Sequence, residues 1–272
     1  MTDREYQEKV ASLNDTQRVA FDHVVQCNRA RHQYFMRERD TLPEPLHLFI
    51  TGGAGTGKSH TISVIKEHIE RAHIGSQNAY EISMVSYETF VFIHKRLTEI
   101  KGTDDTEIQF GGLNIIAVGG VHTVIIDEIS MVSYETFVFI HKRLTEIKGT
   151  DDTEIQFGGL NIIAVGDFYQ LPPVRDRFIF QNGKGYTQGS THLWGELFTV
   201  IELTANMRQR NDTCYSEILN RIRTGNQTNE DIAKLRTRLT SGMPDPVQLN
   251  DPKFNSALYV LPRKEQVTPC GR

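Results

Sequence analysis

Cysteine is scarce and long apolar runs are missing. Cys27, Cys214 and Cys270 are scattered, with no CxxC pair. That argues against a disulfide framework and against a cysteine-ligated metal, and it fits reduced thiols in an intracellular protein. No apolar stretch approaches the roughly 18 residues that span a bilayer. The opening "MTDREYQEKV" lacks the apolar core of a signal peptide and is too acidic for a transit peptide. An excess of basic charge is missing too. The net charge of −4 gives no global attraction to nucleic acid, although a local groove can be basic on an acidic protein. What is present, 38% hydrophobic and 24% charged residues over 272 positions, reads as a soluble globular chain. It has room for one large domain or two modest ones.

Apolar patterning gives the layout. "LNDTQRVAFDHVV" starts with N-cap chemistry at Asn14-Asp15-Thr16 and continues at helical spacing through Val19, Ala20, Val24 and Val25, until "TLPEP" breaks it. "LHLFI" (Leu46 to Ile50), "VHTVIID" (Val121 to Asp127) and "LNIIAVGD" (Leu160 to Asp167) have the profile of buried strands. "HTISVIKEHIERAH" and "SYETFVFIHKRLTEIK" (Ser133 to Lys148) read as helices. Strands alternating with helices predict an α/β fold with a mostly parallel sheet. Two further helices are expected near Cys214–Arg223 and Glu230–Leu239, and a last strand at "SALYVLP" (Ser256 to Pro262).

Two stretches carry chemistry. Gly52-Gly53-Ala54-Gly55-Thr56-Gly57-Lys58-Ser59 fits G-x-x-x-x-G-K-[ST], between a predicted strand and a predicted helix. Glycines let the backbone wrap a phosphate chain with its N–H groups inward, and the helix N-terminus adds its dipole. Lys58 would reach the β- and γ-phosphates of a nucleotide, and Ser59 would put its hydroxyl on Mg²⁺. "VIIDE" (Val124 to Glu128) supplies the acidic strand end that should lie beside that loop. Asp127 would hold Mg²⁺ through its water shell, and Glu128 would position the attacking water as base. A GTPase is disfavoured because no N-K-x-D guanine motif is present.

A repeat complicates this reading. Glu81 to Gly119 and Glu128 to Gly166 are identical at every position, 47 residues apart. Only the second copy is preceded by Asp127 and followed by Asp167; the first has Tyr80 and Gly120 there. The second copy is therefore the catalytic one. The first reflects either a recent duplication or an error in assembling the gene. Its strand, "LNIIAVGG" from Leu113, ends only a few residues before the next, too close for a parallel crossover of a dozen residues or more. It must pair antiparallel or stay out of the sheet. Two copies with equal affinity for one slot make a frustrated chain.

"VIIDEISMVSYETF" together with "AVGDFYQLPPV" resembles the PIF-one/RecD-like family of superfamily-one ATP-dependent DNA helicases. The likeness runs from about Leu13 to Arg272, the first copy excepted. It implies a RecA-like P-loop NTPase domain over residues 1–200 and the incomplete start of a second RecA-like domain over 201–272. "LNDTQRVAF" is similar to the family's Q motif, which would place Gln17 on the adenine. "GDFYQLPPV" would make Gln170 a γ-phosphate sensor coupled to DNA. "LTANMRQR" would bring Arg208 to the γ-phosphate as an arginine finger from the second domain. The implied activity is ATP hydrolysis with Mg²⁺, coupled to 5′-to-3′ DNA unwinding in repair, recombination and telomere maintenance. The implied partner is DNA, single-stranded or at a junction, and no membrane. The implied location is intracellular, the nucleus ahead of the mitochondrion. Two departures stand out: no "APTG"-like DNA-contacting motif is present, and the chain ends near the second domain's first strand. They leave open a catalytically impaired ATP- or DNA-binding fragment, or a helicase domain carried by a mobile element.

Overall fold

A computed structural model describes residues 1–38, 40–74, 114–118, 122–149, 154–181 and 192–239. They divide into two compact units, Met1–Ser216 and Glu217–Arg272. The strand expected at Ser256 to Pro262 lies outside the described residues, as does all of the first repeat copy except 114–118.

In the first unit, helices α1 (Asp3–Ala11) and α2 (Asp15–Phe35) precede strand β1 (His47–Gly52) and helix α3 (Lys58–Ile74). Strands β2 (Asn114–Val118) and β3 (Thr123–Asp127) follow, then helix α4 (Tyr134–Lys148), β4 (Asn161–Gly166) and β5 (Thr199–Leu203). Both early helices start with a capping box, Thr2 with Glu5 and Asn14 with Gln17, which satisfies N–H groups that a helix start leaves unpaired. Helix α4 is capped by the Ser133 side chain and ends on Gly149 at φ 60°, the usual left-handed stop.

The strands form one sheet in the order β2-β3-β4-β1-β5. β3–β4, β4–β1 and β1–β5 pair in parallel. β2 alone runs antiparallel, pairing Asn114 with Asp127 through to Val118 with Thr123. This is the antiparallel solution that the short connection requires. Identical segments thus adopt different roles: the second copy's "NIIAV" is an inner parallel strand, the first copy's an antiparallel edge.

Period-2 alternation distributes the apolar residues over both faces. Phe49, Val124, Ile126, Ile162 and Ala164 meet Phe137, Ile140 and Leu144 of α4 on one side. Leu48, Ile50, Ile125, Ile163 and Val165 meet Ile62, Ile65 and Ile69 of α3, with Ala20, Phe21 and Val24 of α2, on the other. Residues 161–166 are buried throughout. A sheet covered on both faces leaves its strand ends as the place for a ligand.

The expected domain boundary at residue 200 falls inside β5. That strand pairs along its whole length with β1, so residues up to Ser216 belong with the first unit. In the second unit, helix α6 (Asn229–Arg236) begins with a capping box, Thr228 with Asp231. The Arg221 guanidinium grips the same Asp231 carboxylate with two N–H donors, each at 2.7 Å. This fork holds the Asp231 carboxyl well below the usual carboxylate range. Helix α5 (Thr213–Arg223) precedes it.

Candidate nucleotide-binding site

The register brings the loop and acids to one end of the sheet. Thr51 pairs with Gly166 and Gly52 with Leu203, so β1, β4 and β5 end together. β3 ends beside them at Asp127. In open parallel α/β sheets this carboxyl edge is where ligands bind.

The loop 52–57 leaves β1 and enters α3 at Lys58. Two of its glycines are required by the space around them. Gly57 has φ 84°, and a Cβ there would collide with the Gln17 amide nitrogen. Gly55 has φ 86°, and a Cβ would sit 2.6 Å from Asn206 Oδ1 and 2.8 Å from Arg208 Cβ. The loop also braces itself: Thr56, buried, donates its hydroxyl to the Gly53 carbonyl at 2.9 Å. Lys58 Nζ donates to the carbonyls of Gly52 at 2.7 Å and Gly53 at 3.3 Å. Ser59 is exposed in the first turn of α3.

Asp127 is half-buried. Burial pushes its carboxyl up, while the Glu128 N–H on Oδ1 at 2.9 Å and the charge of Lys58 act against that. Lys58 and Asp127 are thus within electrostatic reach of each other. Glu128 has φ 53° and ψ 44°, a left-handed conformation uncommon for a non-glycine residue and frequent at functional sites. It caps the short 3-10 turn Ile129–Met131.

Gln170 is held by its own turn. Asp167, at 1% exposure, accepts from the Tyr169 N–H at 3.1 Å and the Gln170 side-chain amide at 3.3 Å, and its carbonyl accepts the Gln170 N–H at 2.8 Å. Asp167 thus positions Gln170; the sequence marked it only as the end of a motif.

Two placements differ from expectation. Gln17 is buried, and its amide bridges protein groups: Nε2 donates to the Thr56 carbonyl at 2.9 Å, and Oε1 accepts the Asn14 N–H at 3.1 Å. Its contacts here are with the phosphate loop, because the same side chain closes the capping box of α2. Arg208 was expected to arrive from the second domain. It belongs to the first unit, because β5 joins the sheet beside β1 and delivers the following turn straight onto the loop. There the Met207 N–H donates to the Gly55 carbonyl at 2.8 Å.

Mg²⁺ prefers oxygen donors, keeps several waters and is bound through one or two protein groups plus substrate phosphates. Ser59 and Asp127 fit that role. Among the described residues no cluster of three or more His, Cys, Asp or Glu forms a larger metal site, and no helix is long and apolar enough to cross a membrane.

Sheet order, phosphate loop and acidic strand end together give a RecA-like P-loop fold. Residues 119–233 match the model of the PIF1-like helicase family. The match takes in the second repeat copy whole and only the last residue of the first. The chain is similar to the crystal structure of Pif1 helicase from Candida albicans, 22% identical with a TM-score of 0.53, over 86% of this chain and 49% of that one. It is also similar to a structure of two coordinating Pif1 helicases unwinding forked double-stranded DNA, 18% identical with a TM-score of 0.51, over 85% of this chain and 52% of that one. These likenesses show the fold. The chain spans about half the length of the structures it matches. No curated protein sequence matches it.

Proposed function

We propose that the chain is the ATP-hydrolysing part of a PIF1-type DNA helicase, acting on single-stranded DNA or a single/double-strand junction. The observation that carries this is the convergence of Lys58, Asp127 and the turn bearing Arg208 on one phosphate loop at the carboxyl edge of the sheet.

In this reading the loop N–H groups and Lys58 hold the β- and γ-phosphates. Ser59 and Asp127 hold Mg²⁺, which when bound neutralises charge on the phosphate oxygens. Glu128 takes the proton of the attacking water, Gln170 senses the γ-phosphate from the turn anchored by Asp167, and Arg208 stabilises charge in the transition state. Gln17 supports the loop and borders the adenine side of the nucleotide. Unwinding, 5′-to-3′ polarity and roles in repair, recombination and telomere maintenance are the family-level extension, with the nucleus ahead of the mitochondrion as the location. Residues 217–272, the second compact unit, contribute the start of a second RecA-like domain.

The missing "APTG" motif supports a second reading, an ATP- or DNA-binding protein without turnover. One experiment separates the two: ATP hydrolysis with and without single-stranded DNA, with Lys58→Ala as control. Strand-stimulated turnover that falls by at least about a hundredfold in the variant is the expected result. Nucleotide binding with no turnover above the variant would establish the second reading instead.

A further inference from the structure

Asn206 uses its whole side chain inside the first unit. Oδ1 accepts the backbone N–H groups of Arg208 at 3.0 Å and Gln209 at 3.1 Å. Nδ2 donates to the Ser216 hydroxyl at 3.1 Å and, at 3.4 Å, to the Ala54 carbonyl of the phosphate loop. An asparagine that folds the next residues around its own side chain makes a tight, preset turn. Here that turn aims the Met207 N–H at the Gly55 carbonyl, 2.8 Å away. Gly55 has no Cβ, and a Cβ would strike both Asn206 Oδ1 and Arg208 Cβ. Loop and turn are therefore built as one piece, and the backbone of Arg208 is fixed against the residues that wrap the phosphates.

We propose that Asn206 is a positioning residue that clasps the turn 206–209 to the phosphate loop and so sets Arg208 to distinguish a nucleoside triphosphate from a diphosphate. The proposal rests on the nucleotide-binding reading above. The clasp is local, so γ-phosphate recognition through Arg208 is assembled within Met1–Ser216. Placement errors of an ångström at such groups cost on the order of a hundredfold in rate, so a preset turn matters more than the few hydrogen bonds it contains.

The test compares the affinities of the full chain for a fluorescent ADP and a fluorescent, slowly hydrolysed ATP analogue. Asn206→Ala is expected to cut the triphosphate preference on the order of tenfold, with diphosphate affinity within about twofold. Arg208→Ala should do the same, and the double variant no more, as coupled residues behave. Asn206→Asp keeps the acceptor for Arg208 and Gln209 but sets a carboxylate against the Ala54 carbonyl; it should fall between, and it decides the matter if Asn206→Ala does not fold. Parallel loss of both affinities, or additive effects of the two single variants, would overturn the proposal. If the wild-type chain binds neither nucleotide, the nucleotide reading itself fails. Amide exchange over 51–58 and 204–210 then tests the clasp alone, and unchanged exchange in Asn206→Asp would refute it.

Discussion

His47, the first residue of β1, shows how a single side chain sets an acid limit on the fold. Its ring lies 5.3 Å from that of Phe157 and 5.6 Å from that of Phe198, with Nε2 buried and unpaired. Burial, with the nearby His141 adding to it, lowers its pKa to about 4 from 6.5. The folded state therefore keeps His47 neutral where the unfolded chain already binds a proton. The stability His47 contributes is full above about pH 6.5, falls as pH drops towards 4, and is lost below that. The gap is worth ~3 kcal/mol. His141 and His68 are also pushed down by burial and act in the same direction. Replacing His47 with Phe should shrink the stability loss between pH 6.5 and 4 by about that ~3 kcal/mol, read as urea midpoints across the range. An unaltered acid limb would show that the ring is solvated.

At the residue scale the sequence revealed chemistry better than connection. Lys58, Asp127 and Glu128 could be singled out from their motifs, and the structure places them at one end of the sheet. Asn206 and Asp167 could not. Each works by folding nearby N–H groups onto its own oxygen, and that depends on where the turn lands. Gln17 could be read as important, but its bond to Thr56 appears only once α2 is laid beside the loop.

Among the elements, the inner strands were legible because Leu48, Ile125 and Ile163 sit in short apolar runs flanked by turn or helix signals. α1 was not: it fully buries no residue, and only Tyr6 and Val10 pack against the core, so no apolar stripe marks it. β5 was also missed, since most of its residues are exposed and only Leu203 is buried. Its place was fixed by pairing with β1, a long-range fact. Strand position also predicts mutational cost. Ile163 is fully buried in β4; Ile163→Lys should cost more than about 4 kcal/mol, because an unpaired charge enters the core. Chemical denaturation checks the cost, and a loss of less than about 1 kcal/mol would refute the inner, buried position assigned to β4.

Across the whole molecule, the repeat is the main source of ambiguity. β2 occupies an edge that the parallel strands do not need. Deleting residues 81–119 should leave β3-β4-β1-β5 intact, raise soluble yield and sharpen unfolding into a single transition seen identically by fluorescence and circular dichroism. A deletion variant that fails to fold would mean the first copy has become structural. The same variant bears on function: if turnover survives the deletion, the second copy alone serves the site.

The twin "NIIAV" segments also make the chain its own calibrated comparator. Two strands of one sequence, in one molecule and one solvent, differ in orientation and in place within the sheet order. Paired substitutions at 115 and 162, 116 and 163, or 117 and 164 hold composition constant and vary environment alone. Each pair would yield a direct measurement of what location contributes to a β-strand residue, a quantity that comparisons between different proteins leave mixed with everything else that differs.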